Sequence, residues 1–210
     1  MTMSNLLTGL LLLVLLIFGS SSYADELQPG QPAPAFELVD QNNKTHRLED
    51  YRDHWLVLYF YPKDDTPGCT TEACNFRDDY FEIRKLKADV VGVSLDDSDS
   101  HEEFARKYNL PFPLLADTEG EVADAYGALW SLGPIKFSKR HTFIIGPDGR
   151  ISRIYRDVKP EEHSRQIISD LKSLIGNREN PSGFSPVSLP LNRKFYHSLQ
   201  TGQVDRTVAF

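Results

Sequence analysis

Cys69 and Cys74 are the only two cysteines in a chain of 210 residues, and four residues separate them. Two thiols fall short of the four ligands of a structural zinc site, and no histidine pair stands nearby at ligand spacing. What remains is a structural disulfide, a redox pair or two free thiols. The setting favours reactivity. An unbroken apolar run, Trp55-Leu56-Val57-Leu58-Tyr59-Phe60-Tyr61, reads as a fully buried strand. Beyond it Thr66 stands where a helix N-cap belongs, and Pro67 takes the first helical position, where its missing N–H costs nothing. Cys69 then falls in the first helical turn, among unsatisfied backbone N–H groups at the positive end of the helix dipole. A free thiol of pKa near ~8.5 is about 3 % thiolate at pH 7, whereas one lowered to about 6 is roughly 90 % thiolate. The thiolate is the nucleophile, so a thiol placed there is a reactive one.

A helix end alone rarely supplies so large a shift, and a cation is expected beside the sulfur. Arg140, just ahead of the apolar strand His141-Thr142-Phe143-Ile144-Ile145, is the candidate. Each of these residues also has an ordinary reading. Thr66 can be a plain N-cap, or its hydroxyl can donate to an oxygen bound near the thiolate. Arg140 can be a solvated charge at a strand end. Glu72 can compensate the dipole in the first turn, or it can orient an arginine. Among the six histidines (His46, His54, His101, His141, His163 and His197), only His141 adjoins a candidate site residue. It is expected to pack on the alternate face of its strand, which disfavours a protease-like Cys–His pair.

These residues need elements to hold them. A short strand is expected over 36–39, a turn at 42–44, a second short segment over 45–51, and then the buried strand. A helix is expected over 69–87, with Ala73, Phe76, Tyr80 and Ile83 as its buried stripe. A buried strand over 89–95 follows, and Ser98 or Ser100 caps a helix reaching Tyr108. A strand-like piece over 112–115 and a short helix over 121–126 come next. A hairpin then turns at Gly146-Pro147-Asp148-Gly149, with proline second and glycine fourth as type I turns favour. The last helix is expected over 161–175, ending at Gly176. This order describes an α/β protein with a mixed central sheet flanked by helices. The reactive cysteine lies just beyond the carboxyl end of a central strand, where open α/β sheets place their chemistry.

The chain carries a net charge of −7. Residues 25–176 hold 19 basic and 28 acidic side chains, a balance that argues against nucleic acid as a partner. Residues 6–19 form a leucine-rich run shorter than the ~20 residues of a membrane span. Ser22-Tyr23-Ala24 fits a signal-peptidase site, so residues 1–24 read as a signal peptide cut after Ala24, although they contain no Lys or Arg. The mature chain is then exported, to the periplasm or outside the cell, where disulfides are tolerated; the alternative is an uncleaved anchor over 6–19. Residues 25–176 are long enough for one domain with a sizeable core. Residues 177–210, with three prolines and little periodicity, read as a loosely ordered extension.

The stretch from Phe60 to Cys74, Phe-Tyr-Pro-Lys-Asp-Asp-Thr-Pro-Gly-Cys-Thr-Thr-Glu-Ala-Cys, resembles the active-site signature of peroxiredoxins of the bacterioferritin-comigratory-protein or PrxQ subfamily. The resemblance covers about residues 28–175, including Gly30-Gln31-Pro32-Ala33-Pro34 and the segment from Phe143 to Gly149. It implies a thioredoxin-like fold and a thiol-dependent peroxidase without a cofactor, acting on hydrogen peroxide and organic hydroperoxides. It implies Cys69 as the peroxidatic and Cys74 as the resolving cysteine, with Pro62, Thr66 and Arg140 completing the peroxide-activating set. A thioredoxin-like protein reductant and a monomeric enzyme are expected. Two stretches depart from the family pattern, Trp130 to Lys139 and the tail after 176. The competing readings are an exported thiol-disulfide oxidoreductase, which would want Cys-x-x-Cys at the helix start, and a non-enzymatic thioredoxin-like module with a structural disulfide. Residues five apart on an intact helix have Cα atoms about 8.6 Å apart, beyond the ~7 Å that a disulfide tolerates. A bond between Cys69 and Cys74 therefore requires the helix start to unwind.

Overall fold

A computed structural model describes residues 26–179. The segment read as a signal peptide, residues 1–24, and most of the expected 177–210 extension lie outside those residues. The chain divides into two compact units, one up to Leu171 and one from Lys172 onward. The core of the first is a five-stranded sheet in the order β5-β4-β3-β8-β9. Its central strand, β3 (Trp55–Phe60), is buried along its whole length, as a run without polar alternation must be. It pairs in parallel with β4 (Ala88–Ser94), which in turn pairs in parallel with β5 (Leu114–Ala116). On its other side β3 pairs antiparallel with β8 (Thr142–Ile145), and β8 with β9 (Ile151–Tyr155). The sheet is therefore mixed, as the sequence predicts. A separate hairpin, β1 (Glu37–Val39) with β2 (Thr45–Arg47), leads through a 3-10 turn at Leu48–Tyr51 into β3.

Alternation along β3 sends its side chains to two layers. Leu56, Leu58 and Phe60 join Phe36, Val91, Val93, Tyr126 and Phe143 in one buried cluster. Tyr59 faces the opposite layer, where its ring lies 5.0 Å from that of Phe76 and 5.4 Å from that of Tyr61. Phe76 belongs to α1 (Pro67–Asp78), so this aromatic contact seats the cysteine-bearing helix on the sheet. The side chains of Tyr59 and Leu114 fill the space above Gly92 in β4, where an added Cβ would meet both at 2.8 Å.

The structure corrects several details. The helix expected over 69–87 is two helices, α1 and α2 (Tyr80–Lys85), broken at Asp79. There Asp79 turns its carboxylate to accept a hydrogen bond from the Ser164 hydroxyl at 2.7 Å. Of the expected stripe, Ala73, Phe76 and Ile83 are buried and Tyr80 is half-buried. Helix α3 (Ser98–Tyr108) is capped by Asp97, not by Ser98 or Ser100. The Asp97 carboxylate accepts from the Ser100 amide, a stronger cap at a positive helix end than a hydroxyl. The short helix is α4 (Glu121–Ala125). Residues 129–138, for which the sequence reading gives no element, form a hairpin of β6 (Leu129–Leu132) and β7 (Ile135–Ser138), with Trp130 stacked on Phe137. The last helix, α5 (His163–Glu179), begins later than predicted and carries Gly176 within it rather than stopping there. The turn at 146–149 forms as predicted, with Gly149 at a φ of +74.

Candidate active site

The loop between β3 and α1 is fixed before the helix begins. The buried Asp64 carboxylate accepts hydrogen bonds from the Tyr61 hydroxyl at 2.7 Å, the Ser100 hydroxyl at 2.8 Å and the His101 Nδ1 at 2.8 Å. The Asp64 amide donates to Asp96 Oδ2, and Asp65 is held by Lys107 and the Tyr108 hydroxyl. Pro62 directly follows Tyr61 and shares this loop with Thr66. The sequence reading does not find the Asp64–His101 pair, because 37 positions separate the two residues and each alone looks like a surface residue.

Thr66 occupies the N-cap position in extended geometry, and Pro67 is the first helical residue, as the sequence predicts. The Thr66 carbonyl accepts the first helical bond from the Thr70 amide at 2.8 Å. Its hydroxyl does not cap the helix. It donates to the Lys63 carbonyl at 3.0 Å, so its proton is engaged and the oxygen can act only as an acceptor toward a further partner. Cys69 lies three residues beyond Thr66 in the first turn, 1 % exposed. Cys74 is half-buried on the same helix, and both are free thiols.

Arg140 reaches this helix from the residues just before β8. The antiparallel register pairs Tyr59 with Thr142, and the Phe60 amide donates to the His141 carbonyl at 2.7 Å. That register brings Arg140 over the helix start, where its Nη2 donates to Cys69 Sγ at 3.2 Å. Its Nη1 donates to Glu72 Oε2, so of the two roles the sequence leaves open for Glu72 the structure shows the bond to an arginine. One planar guanidinium thus grips sulfur and carboxylate together through separate nitrogens of a rigid fork, a geometry that an ammonium group lacks. Gly68 leaves room for it: an added Cβ there would come within 3.3 Å of Arg140 Nη2.

The charges follow from burial. Glu72 is 1 % exposed, and burial pushes its carboxyl up to about 7 against the opposing pull of Arg140. Burial works against the Arg140 charge, but Glu72 and Cys69 outweigh it and hold the guanidinium above its ordinary value. Tyr59 lies beneath, its phenol held well above the ordinary range by burial and then by the charge of Glu72. Burial, followed by Lys139 and Arg156, lowers His141 to about 4, so it is neutral at pH 7 and serves packing. Among the described residues no group of three or more His, Cys, Asp or Glu is placed to hold a metal ion.

Glu72 gives a prediction in pH. Its folded pKa lies above the ordinary 4.5, so the folded state holds a proton there that the unfolded chain releases. Wild-type stability should therefore fall, relative to Glu72→Gln, as pH rises from 4.5 toward 7. Denaturant unfolding of both proteins across that range checks this, and a constant difference would contradict it.

Residues 29–154 match the AhpC/TSA family. The chain is 42% identical over 154 residues to peroxiredoxin Bcp of Bacillus subtilis, covering 70% of this chain and 97% of that one. It is 42% identical over 150 residues to the chloroplastic peroxiredoxin Q of Arabidopsis thaliana, covering 70% and 68% respectively. Among solved structures it is similar to peroxidoxin BcpB of Mycobacterium tuberculosis, with a TM-score of 0.68 at 32% identity over 71% of this chain and 99% of that one. It is also similar to PrxQ of Xylella fastidiosa, with a TM-score of 0.68 at 32% identity over 72% and 99%. A buried thiol at a helix start, gripped by an arginine on a mixed α/β sheet, and these similarities lead to one conclusion: the chain belongs to the AhpC/TSA family, as a thiol-dependent peroxidase of the Bcp/PrxQ group of peroxiredoxins.

Proposed function

We propose that Cys69 is the peroxidatic residue and Cys74 the residue that resolves it, in an exported enzyme reducing hydrogen peroxide and organic hydroperoxides. The contact of Arg140 with both Cys69 and Glu72 carries this reading. The Cys69 thiolate attacks one peroxide oxygen: an S–O bond forms, the O–O bond breaks, and the leaving oxygen departs as water or alcohol after taking a proton. Thr66 Oγ1, its own proton engaged by the Lys63 carbonyl, accepts a hydrogen bond from the hydroperoxide. Backbone N–H groups of the first helical turn and Arg140 stabilise the charge that develops on the leaving oxygen. Pro62, in the loop ahead of α1, is proposed as part of the same peroxide-activating set. Cys69 becomes a sulfenic acid, and the Cys74 thiol then condenses with it, releasing water and forming a disulfide.

The disulfide requires the first turns of α1 to unwind. Its reduction calls for a dithiol, and a thioredoxin-like protein of the same compartment is the reductant proposed. Residues 1–24 are proposed as the cleaved export signal, with residues 177–210 as an extension of the mature chain, which acts as a monomer.

Cys69→Ser should abolish peroxide turnover with a generic dithiol as reductant, and wild-type turnover in that variant would end the assignment. Arg140→Gln should move the pH–rate profile to higher pH and slow peroxide reduction at neutral pH by about tenfold or more, with Arg140→Lys only partly restoring it. An unchanged profile in the glutamine variant would exclude this role for Arg140.

A further inference from the structure

Both cysteines ride on α1, yet the helix is fastened unevenly. From residue 75 onward it is tied to its surroundings. Asn75 Nδ2 donates to the carbonyls of Pro160 at 3.0 Å and Glu161 at 3.3 Å, and Arg77 donates to the Tyr108 carbonyl at 2.7 Å. Phe76 is fully buried, its ring 5.7 Å from that of His163. Ahead of residue 75 the chief polar tie is the grip of Arg140 on Cys69 and Glu72. The Thr71 hydroxyl bonds only within the helix, to the Pro67 carbonyl.

Asn75 stands at the boundary, next to Cys74. The segment it holds, residues 156–162, also overlies the other end of the cysteine pair. The Pro160 ring comes within 3.9 Å of the Cβ position at Gly68, next to Cys69. One carboxamide therefore fixes the residue after Cys74 and the proline that sits beside the turn carrying Cys69. We propose that Asn75 is a positioning residue that sets the rate of disulfide formation, by clipping α1 to the 156–162 segment. The inference rests on the reading that Cys74 resolves Cys69.

The chemistry defines what the clip opposes. Cys74 sulfur attacks the sulfur of Cys69 sulfenic acid; the S–S bond forms, the S–O bond breaks, and the hydroxyl leaves as water with the proton from Cys74. A second peroxide molecule competes, turning the sulfenic acid into a sulfinic acid and itself into water or alcohol. Neither thiol can meet the other while residues 69–74 stay helical. Turning Cys74 out of the helix rotates the backbone at residue 75, and that breaks the hydrogen bonds of its side chain. A pair of bonds to backbone carbonyls, one of them long, holds the closed helix by a factor of about three to ten. Asn75 thus fixes how much time a second peroxide has to overoxidise Cys69.

The test uses the full chain, reduced and then pulsed with hydrogen peroxide, with quenched samples analysed by mass spectrometry for the Cys69–Cys74 linkage and for Cys69 sulfinic acid. Asn75→Ala should form the linkage about three- to tenfold faster and accumulate less sulfinic acid. Alanine favours helix more than asparagine does, so its intrinsic effect is to slow unwinding, and acceleration reports loss of the clip. Asn75→Asp keeps the shape but cannot donate to either carbonyl, and should accelerate at least as much. The rate constant for the first reaction with peroxide should stay within about twofold of wild type, because the grip of Arg140 on Cys69 is untouched. Linkage at the wild-type rate or slower in either folded variant would overturn the role of Asn75 while leaving Cys74 as the resolving residue. An equal change in the first peroxide reaction would also overturn it, since Asn75 would then act on the Cys69 site itself. Absence of the linkage in the wild-type protein would instead remove the reading beneath it, and the inference with it.

Discussion

The Arg140 guanidinium, bonded at once to the Cys69 sulfur and the buried Glu72 carboxylate, is the interaction on which the rest of the structure turns. A buried carboxylate is costly unless paired, and a buried thiolate is too. One planar cation with its donors in a fork answers both. Meeting that demand requires two distant parts of the chain to arrive within hydrogen-bonding distance of one another. The β3–β8 register does this: with Tyr59 opposite Thr142, the residue two positions before β8 lands over the first turn of α1. A slip of one residue in that register would exchange the two faces of β8 and take Arg140 away from the sulfur.

The loop from 62 to 66 is built with the same rigidity. Asp64 gathers three donors on its carboxylate and fastens its own amide to Asp96, so Thr66 enters the helix at a fixed angle. Charge-assisted bonds of this kind are roughly twice as strong as neutral ones. The site is thereby preorganised for charge development rather than assembled by the substrate. Rigidity here stands against the proposed resolution step, in which two thiols on one helix would have to meet. Ahead of residue 75 the polar fastening of α1 runs through Arg140, and from residue 75 onward through Asn75 and Arg77.

Much of this was legible from residue types alone. The unbroken apolar run of β3, the proline that opens α1 and the polar gap between them are local signals, and they place Cys69 correctly. Arg140 was legible as a charge at the mouth of a buried strand, and the peroxiredoxin-like signature implied the role proposed for it. What escaped depends on contacts between distant residues. The break at Asp79 reflects its bond to Ser164, 85 positions away, while the helical pattern of Tyr80 and Ile83 continues across it. The choice of Asp97 over the two serines rests on which side chain reaches the Ser100 amide. Thr66 was placed correctly as a cap position, but its hydroxyl goes to Lys63 because the loop curls back on itself. The hairpin over 129–138 is hidden by the exposure of its apolar residues, Leu132 and Ile135 being mostly exposed, which removes the alternation that marks a strand. Gly176 is a stop signal overruled by a helix that continues to Glu179.

The central claim is that Arg140 activates Cys69 as a unit with Glu72, and a double-mutant cycle on the second-order rate constant for hydrogen peroxide tests it most directly. Glutamine at 72 should slow the reaction when Arg140 is present and change it little when glutamine already stands at 140, giving a coupling of about 0.5–3 kcal/mol between the two positions. Additive effects would show that the two residues act separately and would contradict the account.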